Sequence, residues 1–324
     1  VTSGSTPPAP GAAGSAGSAA ARSVTVRVPA KVNVQLAVGP PRPDGFHDLA
    51  NVFLAVGLYD EVTATEADDL RVTVAGRDAA AVPTDTSNLA ARAAQLLAAR
   101  HGREPHVHLH IAKDIPVAGG MAGGSADGAG ALLACDELWG TRTGTDELLR
   151  ICAELGSDVP FSLVGGAALG RGRGERLTTL SAKGPLYWVF AVADGGLSTP
   201  EVYGEFDRLA ADRTVPEPDP SPAVLDALGS GDPAALAAAL AAISGGNDLQ
   251  PAALSLRPSL ADTLKAGTAA GALAALVSGS GPTCAFLAAD ETAATEIAAA
   301  LETSGTCRQA RVAQAPAPGA AVVG

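Results

Sequence analysis

I-P-V-A-G-G-M-A-G-G-S-A-D-G-A-G-A, residues 115–131, is the stretch from which this chain can be read. Gly119, Gly120, Gly123 and Gly124 crowd its first half, and Ser125 and Asp127 follow. Ala131, Cys135, Leu138 and Trp139 then recur at helical spacing, and Gly140 is a natural stop. A glycine-rich loop therefore opens a helix. Without Cβ atoms, successive backbone N–H groups can converge on one point, and the helix N-terminus adds partial positive charge. Phosphate is the guest such a loop suits. No Lys follows the glycines, so this is not G-x-x-x-x-G-K-[ST], and no G-x-G-x-x-G follows a strand. A plain flexible turn is the alternative, since Gly marks turns readily.

The 324 residues provide room for one large or two medium domains, and 47% of them are apolar. Only 3% are aromatic, so the core has to be packed from small aliphatics. A net charge of −12 with no basic run argues against nucleic acid as partner. Cys135, Cys152, Cys284 and Cys307 are widely spaced and read as free thiols of a reducing, cytoplasmic compartment. Residues 1–22 lack a basic region followed by an apolar one, and read as a disordered tail rather than a signal peptide. The longest uncharged run, 266–289, is broken by S-G-S-G-P and reads as helix, strand, loop and strand, so no membrane partner is expected.

Upstream of the loop, residues 23–38 alternate as a strand, interrupted by Pro29 at an edge or bulge. Lys31 and Asn33 share one face of it. Asp44-Gly45 is a turn with Phe46 and His47 at its exit, where a ring and an imidazole could hold a flat ligand or simply support the fold. Further strands are expected over 50–75 and a helix over 88–100. His106, His108 and His110 alternate with apolar residues: a solvated strand face, with zinc ligation as the alternative. Downstream, a helix over 146–155 with Thr145 as N-cap leads to G-S-D-V-P-F, in which Asp158 is either a turn-former or a cleft residue. The G-G-A-A-L-G-R-G-R-G run at 165–174 suggests a domain boundary. A strand (186–192), a helix opening at Thr199-Pro200, and helices at 232–243 and 248–270 follow. Strands flanking S-G-S-G-P, a helix at 292–301 and a strand at 307–313 complete the pattern, and 315–324 reads as a low-complexity tail.

Four segments in this order, P-A-K-V-N-V-Q-L (29–36) with R-P-D-G-F-H-D-L (42–49), the glycine loop, G-S-D-V-P-F (156–161) and S-G-S-G-P-T (278–283), resemble the GHMP small-molecule kinase superfamily over about residues 24–314. D-G-F-H resembles the branch that acts on a cytidine diphosphate-linked methylerythritol. The resemblance implies an α+β fold: an N-terminal domain (23–172) like the second domain of ribosomal protein S5, and a ferredoxin-like C-terminal domain (173–314), between tails at 1–22 and 315–324. It implies ATP as phosphate donor, with Mg²⁺, and transfer to the substrate's 2-hydroxyl in the non-mevalonate isoprenoid route. Lys31 and Asp158 are the implied catalytic pair. Pro116, Val117, Ala118, Gly119, Gly120, Met121, Ala122, Gly123, Gly124, Ser125 and Ala126 would bind ATP, and Ser125 is the candidate metal ligand. Asn33, Phe46, His47 and Tyr203, the last in T-P-E-V-Y, would bind the substrate. A single serine stands where the superfamily often has two, and Phe46 where Tyr is frequent. The expected assembly is a monomer or weak homodimer. Another kinase of the superfamily, such as a homoserine or mevalonate kinase, and a non-catalytic nucleotide-binding regulator are the competing readings.

Overall fold

A computed structural model describes residues 21–117 and 119–323. The expected tail at 1–22 falls almost wholly outside the described residues, as do Ala118 of the implied ATP loop and Gly324. In chain order the elements are β1 (Ser23–Pro41), β2 (His47–Glu66), β3 (Arg71–Gly76), α1 (Leu89–Arg100), β4 (Val107–Lys113), α2 (Gly123–Trp139), α3 (Thr145–Leu155), α4 (Val159–Val164), β5 (Ala167–Arg171) and β6 (Arg176–Thr179). The second half holds β7 (Leu186–Val192), α5 (Thr199–Ala210), α6 (Pro222–Ser230), α7 (Pro233–Ala242), α8 (Gln250–Leu256), α9 (Leu260–Ala269), β8 (Ala274–Val277), β9 (Cys284–Ala288), α10 (Glu291–Ser304), β10 (Gln309–Ala315) and β11 (Ala321–Val323).

Two sheets organise these elements. The first runs β11-β1-β2-β4-β3, and β5 and β6 extend it beside the start of β2. The long β2 makes this possible, pairing with β5 over Asn51–Leu54 and with β4 over Glu61–Glu66. β1 is equally long because Pro29 does not end it: the ladder to β2 shifts register between Pro29 and Ala30 and again between Asn33 and Gln35. Such bulges bend a strand and re-aim its side chains. The second sheet runs β10-β7-β9-β8, and with α5, α9 and α10 it forms the β-α-β-β-α-β pattern of a ferredoxin-like unit. The chain thus has the expected α+β architecture.

The core is built from small side chains. α1 buries Ala90, Ala91, Ala93, Ala94, Leu97 and Ala98. α2 lies so close to the first sheet that a Cβ on Gly130 would stand 2.8 Å from Val28 and 2.9 Å from Val62. One continuous apolar cluster joins this layer to Leu186, Trp188 and Phe190 of β7.

Several expectations need correction. The first sheet continues through β6 to Thr179, past the expected boundary at 172/173, and β7 of the second sheet begins at Leu186. Residues 315–323 are no tail: β10 reaches Ala315, Ala317 is 5% exposed, and β11 pairs antiparallel with β1 from Thr25↔Val323 to Arg27↔Ala321. Their Ala- and Pro-rich composition conceals a strand whose partner is the other end of the chain. The helix expected over 248–270 is two, α8 and α9, because Pro258 cannot continue α8. α3 is capped by Gly144, and Thr145 is its first residue. His106 precedes β4, and both His108 and His110 bond the Thr73 hydroxyl, at 2.8 and 2.9 Å.

Candidate active site

Lys31 leaves the bulged part of β1 and is 4% exposed. Its Nζ donates to Asn33 Oδ1 at 2.6 Å and to the Gly120 carbonyl at 2.7 Å, and lies 3.5 Å from Asp158 Oδ2. Burial lowers the ammonium's pKa, and the Asp158 charge opposes that shift. Asn33 in turn donates to Asn51 Oδ1 at 2.9 Å. Asp158 occupies the N-cap position of α4, yet its side chain makes no capping bond. Pro160, the second helical residue, has no N–H to offer. The carboxylate is left facing the cleft and Lys31.

The glycine loop is clamped from two sides. Gly120 has φ +72°, and its carbonyl accepts from Lys31 and, at 3.1 Å, from Ser278 Oγ. A Cβ on Gly120 would lie 2.2 Å from the Ser278 carbonyl oxygen. Asn247 holds that opposing loop, donating to the carbonyls of Val277 and Gly279 at 2.7 and 2.8 Å. Ala122, with φ +62°, is left-handed and caps α2, turning the backbone into the helix. Beneath it Lys113 Nζ is buried between Asp60 (2.5 Å) and Asp127 (2.9 Å). Asp60 also accepts the backbone N–H groups of Asp114 and Ile115 at 2.7 and 2.9 Å, fixing the entrance to the loop. Burial outweighs the Lys113 charge and raises the Asp127 pKa to about 8, and Asp60 adds to the rise. The attraction of both carboxylates raises the Lys113 pKa against its own burial.

These elements line a cleft of about 790 Å³. Lys31, Asn33, Asp158, Gly119, Gly120, Ala122, Gly123, Gly124 and Ser125 face it, together with Phe46, His47 and Tyr203. Pro116 and Val117 stand outside the lining, and Met121 and Ala126 turn fully buried side chains to the core. His47 and Tyr203 stack with centroids 5.1 Å apart, while Phe46 is 47% exposed at the rim under the Arg173 guanidinium. Burial, and then the nearby Asp158 charge, push the Tyr203 phenol well above its usual range. Asn51, Asn247, Arg173, Asp207, Asp60 and Lys113 carry no functional signal in the sequence, and Asp127 is marked there only by its place after the loop serine. Among the described residues no group of three or more His, Cys, Asp or Glu could hold a metal ion, and no helix is long and apolar enough to cross a membrane.

Comparison with known proteins follows the same geometry. The GHMP kinases N terminal domain matches residues 88–166, and the GHMP kinases C terminal domain matches residues 224–306. The 4-diphosphocytidyl-2-C-methyl-D-erythritol kinase of Streptomyces avermitilis is 74% identical over 301 residues, covering 93% of this chain and all of the relative. A crystal structure of 4-(cytidine 5'-diphospho)-2C-methyl-D-erythritol kinase superposes with a TM-score of 0.71 at 31% identity, covering 90% of this chain and 99% of that one. Homoserine kinase from Cytophaga hutchinsonii shares the fold, with a TM-score of 0.70 at 21% identity over 93% of this chain and 97% of its own.

Proposed function

The chain belongs to the GHMP kinase family, and from that premise we infer that it transfers the γ-phosphoryl group of ATP to the 2-hydroxyl of 4-diphosphocytidyl-2-C-methyl-D-erythritol. The product is the 2-phosphate, an intermediate of the non-mevalonate isoprenoid route. The observation that carries the mechanism is the 3.5 Å approach of Lys31 and Asp158 beside a glycine loop in one cleft.

A tertiary hydroxyl is a weak, crowded nucleophile, so positioning and charge neutralisation do most of the catalysis. Asp158 accepts the hydroxyl proton as the substrate oxygen attacks the γ-phosphorus. The bond from that phosphorus to the β,γ-bridging oxygen breaks, and ADP leaves with the electron pair. Lys31 stays near the transferred group and offsets charge spreading over its equatorial oxygens. Its hydrogen bond to Gly120 couples that ammonium to the loop that takes the ATP phosphates. Asn33, steadied by Asn51, positions the acceptor, and the backbone N–H groups of the cleft-lining loop residues Gly119, Gly120, Ala122, Gly123, Gly124 and Ser125 cradle the phosphates. Phe46, His47 and Tyr203 receive the cytidine.

Mg²⁺ fits this site as a companion of ATP. Beside the glycine loop the protein supplies the cleft-lining hydroxyl of Ser125, in the first turn of α2, and among the described residues no His, Cys, Asp and Glu cluster that could hold a metal. Such a donor set suits an ion that keeps phosphate and water ligands. When bound, the ion supplies further neutralisation of phosphate charge. The protein works in the cytoplasm, in keeping with three buried free thiols and a fourth half-buried, and its proposed assembly is a monomer or weak homodimer.

The test is ATP consumption by purified protein with Mg²⁺ and the cytidylyl substrate, run beside methylerythritol lacking cytidine and beside homoserine. Turnover confined to the cytidylyl compound is expected. Turnover with homoserine would overturn the substrate assignment while leaving the fold and loop untouched.

A further inference from the structure

His47 opens β2 and Asp207 lies on α5, so the two halves of the molecule meet across the base end of the cleft. His47 Nε2 lies 2.9 Å from Asp207 Oδ1. An ionised carboxylate only accepts, so the proton of this bond sits on Nε2. The arrangement is built rather than incidental. The His47 side chain is 5% exposed, stacked on Tyr203 and met edge-on by Phe206 at 5.9 Å. Tyr203 and Asp207 are four residues apart on α5, so one helix face supplies both the stacking ring and the carboxylate. The neighbouring Arg208 does not compete for Asp207, because its guanidinium is engaged with Glu205 at 2.6 and 2.7 Å. Among the described residues Asp207 makes no other side-chain ion pair, and the second ring nitrogen, Nδ1, has no hydrogen-bond partner.

We propose that Asp207 determines base specificity. By holding the His47 proton on Nε2, it leaves a lone pair on Nδ1 to meet the base. Cytosine carries an exocyclic amino donor at C4, and uracil carries a carbonyl acceptor at the same place. A lone pair pairs with the first and repels the second, so the histidine selects cytosine through a tautomer that the carboxylate fixes. Asp207 itself is a positioning residue: it acts through His47. The inference rests on the reading that the cleft takes a cytidine nucleotide.

The experiment is calorimetric titration of the full-length protein, its Asp207→Asn variant and its Asp207→Glu variant with CDP and with UDP. It is accompanied by ¹⁵N NMR of the histidine ring nitrogens. The wild type should prefer CDP, with His47 in the Nε2–H form. An asparagine can accept from Nε2–H through its oxygen or donate to a bare Nε2 through its nitrogen, so it no longer enforces one tautomer. The CDP-to-UDP affinity ratio should therefore fall about tenfold or more in Asp207→Asn, as expected for loss of an enforced hydrogen bond. Asp207→Glu, which keeps an acceptor-only group, should retain the preference. Asp207 is 41% exposed, so these changes leave the fold intact. An unchanged ratio in Asp207→Asn, equal binding of CDP and UDP by the wild type, or an Nδ1–H histidine overturns the proposal alone. A wild type that binds ATP but not CDP overturns the substrate reading beneath it.

Discussion

Gly120→Ala is the substitution whose cost can be worked most fully from the structure. At φ +72° an alanine is left-handed, which costs about 1–2 kcal/mol. The new Cβ would stand 2.2 Å from the Ser278 carbonyl oxygen, a rigid backbone atom, so the two loops must part by roughly an ångström to reach ordinary contact. That separation stretches two bonds to the Gly120 carbonyl, one from the Lys31 ammonium and one from the Ser278 hydroxyl. A bond to a charged group contributes about 1.5–3 kcal/mol and a neutral one about 0.5–1.5 kcal/mol, and partial loss of both is expected. The sum is about 3–5 kcal/mol, large against a typical net stability but short of unfolding the protein. Gly195→Ala provides the control. It has nearly the same φ, +70°, with nothing within 4 Å of the new Cβ, so it carries the strain without the collision. Thermal denaturation should place Gly120→Ala about 6–12 °C below the wild type and Gly195→Ala only about 2–5 °C below. Displacing the loop should also lower kcat/KM for ATP by about a hundredfold, the scale associated with ångström misplacement. Equal melting temperatures for the two variants, with ATP kinetics unchanged in Gly120→Ala, would refute the clamp between the loops.

Asp158→Asn removes the carboxylate proposed as proton acceptor while keeping its shape, so kcat should fall about 10²–10⁴-fold with the KM for ATP little changed; a near-normal kcat in a steady-state assay would contradict the base role. Lys113→Met leaves Asp60 and Asp127 facing each other in the core, and a destabilisation of about 3–5 kcal/mol is expected by denaturant unfolding. Asp127 makes stability depend on pH. Its native pKa is raised from 3.8 to about 8, so the folded state holds more protons than the unfolded one within that window, and stability falls as pH rises through it. Asp127→Asn should flatten that part of the stability profile measured by urea unfolding, and an unaltered slope would contradict the assignment.

Much of this architecture is legible in the sequence, because local patterns carry it. The glycines and the apolar spacing of residues 131–139 mark the loop and α2, and the β-branched alternation of residues 23–38 marks β1. What stayed hidden is set by tertiary pairing. Nothing in the sequence marks Lys113 at a strand end and Asp60 within a strand as a pair, and only the fold brings them to 2.5 Å beneath the loop. Lys31 and Asp158 lie 127 positions apart, and no local pattern joins them; the superfamily motifs did. β11 has no sequence signature, because a three-residue strand is defined by its partner, β1, and not by its own residues. Asp207 carried no signal either, since an acid beside an arginine on an amphipathic helix is what any exposed helix face shows.

The central claim is that the Lys31–Asp158 cleft moves a phosphoryl group from ATP to a cytidylyl-linked polyol. ³¹P NMR of a reaction containing the protein, Mg·ATP and 4-diphosphocytidyl-2-C-methyl-D-erythritol tests it most directly. The account predicts one new phosphomonoester signal that grows in step with ADP while the substrate's diphosphate remains intact. ADP with free inorganic phosphate and no new monoester, or an unchanged spectrum from a folded protein that binds ATP, would contradict it.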